Sequence, residues 1–402
     1  MAAGTSQAQA DAIAAIGHFL PTQKNFGNVS PVDQHLQNPR ADQWSFGVEY
    51  EVLKNLLVKG SYVGTKGHQL LVSSQINLVN PAVIPAPATD ITDEANRLAS
   101  FRTVNTGESG NASGTIVNNR IDPRFNAVTQ VQSVGSSTYH ALQVDVIKRM
   151  SHGLQFQGAY TYGHSIDDAS DVLNVLVNDS SARQDPRSLA SNRGNSEFDL
   201  RHRLALSHVW DIPFAKHTTG FVNKAFDGWS FSGIWQIQSG FKANIFSGSR
   251  RGIADILLVG GSNDRAVLVG PLDSFHPVAF ESPAAALIPS RCTRGVNTST
   301  NAATICTNSS GFPFIQPLLG NPGTIGRNDF PLANFQEFDW ALLKNTKITE
   351  RFTFQFRWEV FNVFNHTNLS GFVNTLNSSA FGTYESTASN SRQMQAGLKL
   401  IF

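Results

Sequence analysis

Few residues in this chain have types and spacings that bear on chemistry, and they fall in four short stretches. "HSIDDASD" gathers His164, Asp167, Asp168 and Asp171. Hard oxygen ligands so spaced are of the kind that hold Ca²⁺, but the run lacks the glycine turn of an EF-hand loop, and a solvated acidic rim is the simpler expectation. "FDLRHR" alternates Asp199, Arg201 and Arg203 with Leu200 and His202. On the polar side of a sheet those charges would pair with carboxylates of neighbouring strands such as Asp145 or Asp211. "GNPGTIGRND" spaces Gly320, Gly323 and Gly326 like a glycine-rich loop, but it has no P-loop Lys and Ser/Thr and opens no helix. Cys292 and Cys306, the only cysteines, flank the loop-like "TRGVNTSTNAATI". They read either as a disulfide closing a small exposed loop in an oxidising compartment or as two unrelated thiols. No further Cys or His stands near enough to complete a zinc site. No Ser/His/Asp or Cys/His constellation emerges, so the expectation is no catalytic residue, no cofactor, no metal and no enzyme.

Composition narrows the classes. Charged residues are 15% of the 402 and hydrophobic ones 41%, against roughly 25% charged in an average soluble protein. The missing charge is replaced by Gly, Ser, Asn, Gln and Thr rather than by a larger apolar core. The net charge of +1 leaves no electrostatic footprint for nucleic acid, which needs clustered Lys and Arg. No apolar run reaches the 18 or more residues of a transmembrane helix. The opening "MAAGTSQAQADAIAAIGHFL" lacks the basic start and unbroken apolar stretch of a signal peptide.

What must position any site here is a set of strands with period-two patterning. In "RFTFQFRWEVFNVFNH", Phe352, Phe354, Phe356, Trp358 and Val360 share one face, and Thr353, Gln355, Arg357 and Glu359 the other. "QWSFGVEYEV" alternates Trp44, Phe46, Val48, Tyr50 and Val52 with Gln43, Ser45, Gly47, Glu49 and Glu51. The pattern recurs in "HALQVDVIKRM", "LQFQGAYTY", "RLALSHVWDI", "GWSFSGIWQIQ" and "EFDWALLKN", and more weakly in "LLVKGSYVG". The final strand places Met394, Ala396, Leu398, Leu400 and Phe402 on its apolar face. About nine strands of roughly ten residues fit the length of a tilted transmembrane β-strand better than that of a sandwich strand, roughly five or six.

The connections alternate. Short ones at Lys54–Asn55, at "SHG", at about 215–227 and at "TKITER" interleave with long ones at about 67–138, 165–198, 249–334 and 365–390. "FNAVTQVQSVG" is read as an extension of the first long loop. In outer-membrane barrels the short turns lie on the periplasmic side and the long loops outside. Trp44, Tyr62, Tyr160, Tyr162, Trp210, Trp229, Trp235, Trp340 and Trp358 fall on or near apolar faces, as interfacial girdles require.

Several stretches resemble, in order, the C-terminal half of Oar-like TonB-dependent receptors: "STYHALQVDVIKRMSHGLQFQGAYTYGHSIDDASD", "NSEFDLRHRLALSHVWDIPF", "GWSFSGIWQIQSG", "FDWALLKNTKITERFTFQFRWEVFNVFNHTN" and "RQMQAGLKLIF". The resemblance implies a 22-stranded outer-membrane barrel with an N-terminal plug, energised through TonB. From the sequence, no TonB box, plug or preceding sandwich domain is expected within these residues.

The expectation is therefore an all-β chain, an antiparallel transmembrane β-barrel portion with about nine or ten strands over residues 41–402, in the outer membrane of a Gram-negative cell. Residues 1–40 are expected as a remnant of an external loop. The partners expected are outer-membrane lipid, the barrel-assembly machinery through the C-terminal strand, and the TonB complex if a plug is supplied upstream. The competing expectation is a soluble or surface-attached β-sandwich that binds polysaccharide.

Overall fold

The computed structural model describes residues 27–105, 119–170, 183–214, 219–251, 253–259, 264–279, 292–293, 305–306, 313–378 and 380–402. Nine long strands pair in chain order into one antiparallel sheet: β1 (Arg40–Leu53), β2 (Leu56–Gln75), β3 (Thr129–Ser151), β4 (Leu154–Asp167), β5 (His202–Asp211), β6 (Trp229–Gln238), β7 (Phe335–Lys347), β8 (Thr353–Phe361) and β9 (Gln393–Ile401). A two-residue strand, Gly194–Asn195, pairs with the end of β4. The sheet is not closed: β1 and β9 do not pair with each other. A β-sandwich would need two packed sheets, and the nine long strands form a single ladder, so that alternative does not hold.

Register converts the period-two pattern into continuous surfaces. Phe46 lies opposite Tyr62, Tyr62 opposite Leu142, Leu142 opposite Tyr162, and Tyr162 opposite His202. Farther along the wall Leu206 faces Trp235, Trp235 faces Phe338, Leu342 faces Trp358, and Trp358 faces Ala396. One face is thus apolar and aromatic across all nine strands, and these side chains are exposed rather than cored: Phe46 by 71% and Leu398 by 70%. Ring contacts run along it, from Tyr62–His140 at 6.0 Å to Trp340–Trp358 at 5.8 Å. The other face carries rows such as Glu49, Lys59 and Asp145, which lie opposite one another. Water cannot cover the first face favourably, and lipid can. The ladder sets Met394, Ala396, Leu398 and Leu400 within it, opposite Val360, Trp358, Phe356 and Phe354.

Short connections follow β1, β3, β5 and β7, and long ones follow β2, β4, β6 and β8, so every long connection leaves the same end of the wall. The β3–β4 turn, His152–Gly153, has both residues at positive φ (51° and 78°), the geometry whose twist matches paired strands. Helix α3 (Gly220–Phe226) occupies the β5–β6 connection. The strands reach farther than the sequence pattern suggests. β2 runs through Gln75 and β3 begins at Thr129, so the first long connection is 76–128 rather than 67–138, and "VTQVQSVG" belongs largely to β3. A bulge near Gly67–Leu70, with Gln69 at φ 55°, breaks the alternation there and hides the continuation.

The buried hydrophobic core lies in the long connections. Val79, Ala88, Phe101 and Val104 from the β2–β3 connection, with α1 (Ile91–Asn96) and α2 (Leu98–Asn105), pack on Ile253, Ile256, Leu258 and Leu319 from β6–β7. A second cluster joins Ile245, Ala266, Phe275, Phe314, Ile325 and Phe330 of β6–β7 to Leu376 and Phe381 of β8–β9. The β6–β7 connection is the hub of a folded loop body at one end of the wall.

Candidate functional site

The loop body is held by buried charge as well as by apolar packing. Asp90 caps α1 by accepting from the amides of Thr92 and Asp93, which aims Glu94 inward. Glu94 is fully buried and accepts from Arg250 Nε at 2.5 Å, Arg250 Nη2 at 2.9 Å, Arg251 Nε at 2.7 Å and the Leu319 amide at 3.0 Å. Burial alone would raise this carboxyl, but the Arg250 and Arg251 guanidiniums hold it below its ordinary range.

A second set of contacts ties the body to the end of β4. Arg327 is fully buried and donates through Nη1 to Asp167 Oδ1 at 2.5 Å and through Nη2 to Ser170 Oγ at 2.7 Å. Arg193 lies 3.1 Å from Asp168, whose other oxygen accepts from the Ser136 amide at 2.7 Å. Arg265 donates to Asn192 Oδ1 and the Ser191 carbonyl. Burial and the nearby Arg327 lower it to about 10, so it remains a cation at neutral pH. Its neighbour Asp264 accepts from the Ile256 amide at 2.6 Å, and burial together with Asp255 pushes it up to about 7.

Below this body, the polar face of the wall has a recess of about 390 Å³ whose lining includes Gln155, Gln157, Ser207, Ser232, Asp339 and Glu359. Asp339 accepts from the Asn362 amide at 2.8 Å, which fixes the end of β8 against β7. The lining mixes amides, hydroxyls and carboxylates with the apolar side chains of Val209, Ile234 and Phe361, a surface that can hydrogen-bond a solute and also contact its apolar parts.

The structure redistributes the residues singled out from the sequence. His164, Asp167 and Asp168 each hold a separate protein group: Asn195 at 3.0 Å from His164, Arg327 on Asp167 and Arg193 on Asp168. The described members therefore form an ion-paired junction between wall and loop body rather than a solvated rim, while Asp171 lies outside the described residues. Among the described residues no cluster of three or more His, Cys, Asp or Glu is placed to hold a metal. Among the described residues the expected partners of "FDLRHR" are not found: Arg201 approaches its own neighbour Asp199 at 3.5 Å, and Asp199 accepts from the Ser165 amide at 2.7 Å. Gly320 sits at φ 83° against Pro87, and Gly323 lies against the Arg265 carbonyl, so the glycines permit close backbone packing within the body. Cys292 and Cys306 lie opposite each other in a two-residue antiparallel ladder. Glu94, Arg250 and Arg327 were not expected from the sequence. Their partners lie 156 to 160 residues away, and no local pattern encodes such a pairing.

The family model "Outer membrane beta barrel domain" matches residues 3–395. No curated protein matches the chain. Among solved structures it is similar to the outer membrane transporter YddB from Escherichia coli, at 10% identity and TM-score 0.41, covering 93% of this chain and 34% of that one. It is also similar to the ferric-catecholate import receptor Fiu from E. coli K12, at 11% identity and TM-score 0.38, covering 92% and 28%. A third is the ferripyoverdine receptor of the outer membrane of Pseudomonas aeruginosa, at 10% identity and TM-score 0.37, covering 91% and 27%. The chain thus spans about a third of the length of these structures or less. With a family model matched over nearly its whole length and a nine-stranded antiparallel wall to go with it, the chain belongs to the outer membrane β-barrel domain family and resides in the outer membrane of a Gram-negative cell.

Proposed function

We propose that this chain supplies wall and external loops to an uptake receptor of the TonB-dependent, Oar-like kind, and that it binds and passes a substrate without altering it. The observation that carries this reading is the alternation of connections: four long ones leave one end of a wall whose outer face is apolar throughout, and three of them share buried cores. A folded body at the mouth of a barrel is placed to meet solutes first, with the polar face of the wall beneath it. The long connections then face the cell exterior. The β9 residues Met394, Ala396, Leu398 and Leu400, with Phe402 just beyond, form the lipid face of a barrel-closing strand that the barrel-assembly machinery reads. The TonB complex is a partner only where a plug is supplied upstream.

Cys292 and Cys306 form a disulfide in this reading. Residues opposed in an antiparallel ladder have Cα atoms about 4.5–5.5 Å apart, inside the roughly 4.4–6.8 Å that a disulfide spans. Alkylation of the unfolded chain before and after reduction should show two cysteines protected only before reduction.

Immunoblotting of fractionated native cells, with an antibody to the segment between Cys292 and Cys306, tests the whole reading. An outer-membrane band that binds or imports solute in a TonB-dependent manner is expected. A band at the 43.7 kDa of this chain in the soluble fraction would overturn it.

A further inference from the structure

We infer that helix α3 (Gly220–Phe226) is a membrane anchor: it lies outside the wall, flat in the interface of the inner leaflet, with Phe221, Val222 and Phe226 among phospholipid chains. That the leaflet is the inner one rests on the reading that the long connections face the exterior; the contact with lipid does not. The other short connections are bare turns at residues 54–55, 152–153 and 348–352, whereas the β5–β6 connection, 212–228, carries a helix that no hairpin requires. At about 100° per residue, Phe221, Ala225, Val222 and Phe226 occupy one continuous arc of about 140°, and Asn223, Lys224 and Gly220 take the other side. A helix packed on its own protein and washed by water buries its apolar arc. Here Phe221 is exposed by 85% and Phe226 by 57%, while Asn223 is half-buried. Seven residues without a side-chain N-cap bond make a helix that is marginal in water, so burial of that arc is what would hold it.

Three contacts identify what covers it. Trp229 Nε1 donates to the Ala225 carbonyl at 3.2 Å, and Trp229 stands on the apolar face of the wall, opposite Lys344, which in turn stands opposite Phe356. The C-terminal end of α3 is therefore pinned to the lipid side of the wall and not to its polar side. Lys344 Nζ donates to the carbonyl of Asp227, the residue directly after α3, and lies 5.5 Å from the centre of the Trp229 ring. An ammonium and an indole together mark the level where hydrocarbon gives way to headgroups, and α3 leaves the wall at that depth. On the other flank the Ile212 amide donates to the Trp229 carbonyl at 2.9 Å, and Phe214, just beyond, is exposed. The apolar arc is thus continuous with the lipid face of β5 and β6. Two phenylalanines and a valine fall well short of the roughly 800 Å² per partner that a stable protein interface buries, which disfavours a second copy or a soluble partner. A helix lying flat at the boundary needs no such area, because each ring gains simply by leaving water for hydrocarbon.

The test places the photocrosslinker p-benzoylphenylalanine at Phe221, Phe226 or Lys224 of the full chain in native outer membranes and identifies the photoproducts by mass spectrometry. The probes at Phe221 and Phe226 should each acquire the mass of a phospholipid, shortened by phospholipase, and the probe at Lys224 should acquire at least tenfold less of it. A polypeptide adduct at Phe221 and Phe226, from a second copy or another protein, overturns the anchor, as does the absence of a lipid adduct at both. A lipopolysaccharide adduct in place of phospholipid overturns the inner-leaflet assignment and, with it, the outward reading of the long connections, while leaving the membrane contact in place. The contribution of the contact is read by hydrogen exchange in phospholipid vesicles, comparing the wild type with the double variant Phe221→Ser, Phe226→Ser. Both should show the same heat-dependent gel shift of a folded barrel, and residues 220–226 should exchange at least tenfold faster in the variant. Equal exchange in a folded variant overturns the anchor; if the variant does not fold, the photoproducts decide.

Discussion

The wall and the loop body treat the same residue types in opposite ways. Phe46 and Leu398 on the wall are exposed by 71% and 70%, whereas Phe314 and Phe381 in the body are exposed by 0% and 2%. The wall puts its apolar side chains outward and satisfies its backbone by pairing strand with strand, so its outer solvent is lipid. The body buries aromatic rings against one another, as in the stacked Phe275–Phe381 pair at 5.6 Å, and carries fully buried ion pairs, so its solvent is water. A single chain thus folds against two solvents, and a given substitution should act in one region and leave the other intact.

The largest separation is expected from Glu94→Ala. It leaves Arg250 buried without its carboxylate, which costs about 3–5 kcal/mol. Hydrogen exchange should show α1, α2 and residues 253–258 losing protection while β3 and β4 keep theirs. Replacing both partners by apolar residues, Glu94→Leu with Arg250→Met, should recover most of that protection. If the single change loosens the wall equally, the two regions are one cooperative unit.

Proton binding gives the next contrast, because the two buried carboxyls of the body titrate with opposite sign. Asp264 is raised from 3.8 to about 7, so between those values the folded body holds a proton that the unfolded chain has released. Its contribution is fully present below about pH 4 and is lost as pH rises to about 7, an effect on the order of 4 kcal/mol. Glu94 is lowered from 4.5, so its contribution is present above that value and is lost as pH falls through the lower folded value. Proteolysis of the loop body followed against pH should slow to a minimum in mildly acidic buffer, and Asp264→Asn should abolish the rise from there to about pH 7. A wall-derived pH dependence of the same shape would refute the assignment to Asp264.

In the wall, depth should decide the cost. Trp358 sits mid-strand, opposite Leu342 and Ala396, and Trp358→Arg should cost about 2–4 kcal/mol in refolding titrations into lipid vesicles. Phe354, one pair from the end of the ladder, should cost about 1 kcal/mol or less on the same change. Gln355→Arg, on the polar face, should cost little. Equal costs at Trp358 and Gln355 would mean that the faces are wrongly assigned.

These two regions were also unequally legible in the sequence. Alternation in "RFTFQFRWEV" and "QWSFGVEYEV" suffices to locate β8 and β1 and to sort their faces, because a strand's side-chain period is two whatever lies beside it. The alternation of short and long connections follows from the same marks. The extensions of β2 and β3 were not legible, since the bulge at Gly67–Leu70 breaks the period and the residues beyond it are mixed in polarity. Nor was the loop body. Its cores join segments as far apart as Val79 and Leu319, and Glu94 in "ITDEAN" looks like an exposed helix glutamate until Arg250 arrives. Asp167 and Asp168 were legible as a cluster but not in their role, because their partners Arg327 and Arg193 belong to other segments.

The smallest expected effect tests where the wall's lipid face ends. Tyr62 Oη lies 2.7 Å from His140 Nδ1, and Tyr160 Oη lies 2.8 Å from His202 Nδ1, the first residue of β5 after a long connection. At a membrane interface, water can replace a lost partner, so Tyr62→Phe should cost no more than the roughly 0.5–1.5 kcal/mol of an ordinary hydrogen bond. If the same pair lay deep in hydrocarbon, the orphaned imidazole nitrogen would add a desolvation penalty and the cost would rise to about 2 kcal/mol or more. The refolding titration that separates Trp358 from Gln355 therefore also locates the upper rim of the hydrocarbon layer. A cost near 1 kcal/mol at both Tyr62 and Tyr160 places that rim just inside the two tyrosines, with the loop body wholly in water above it.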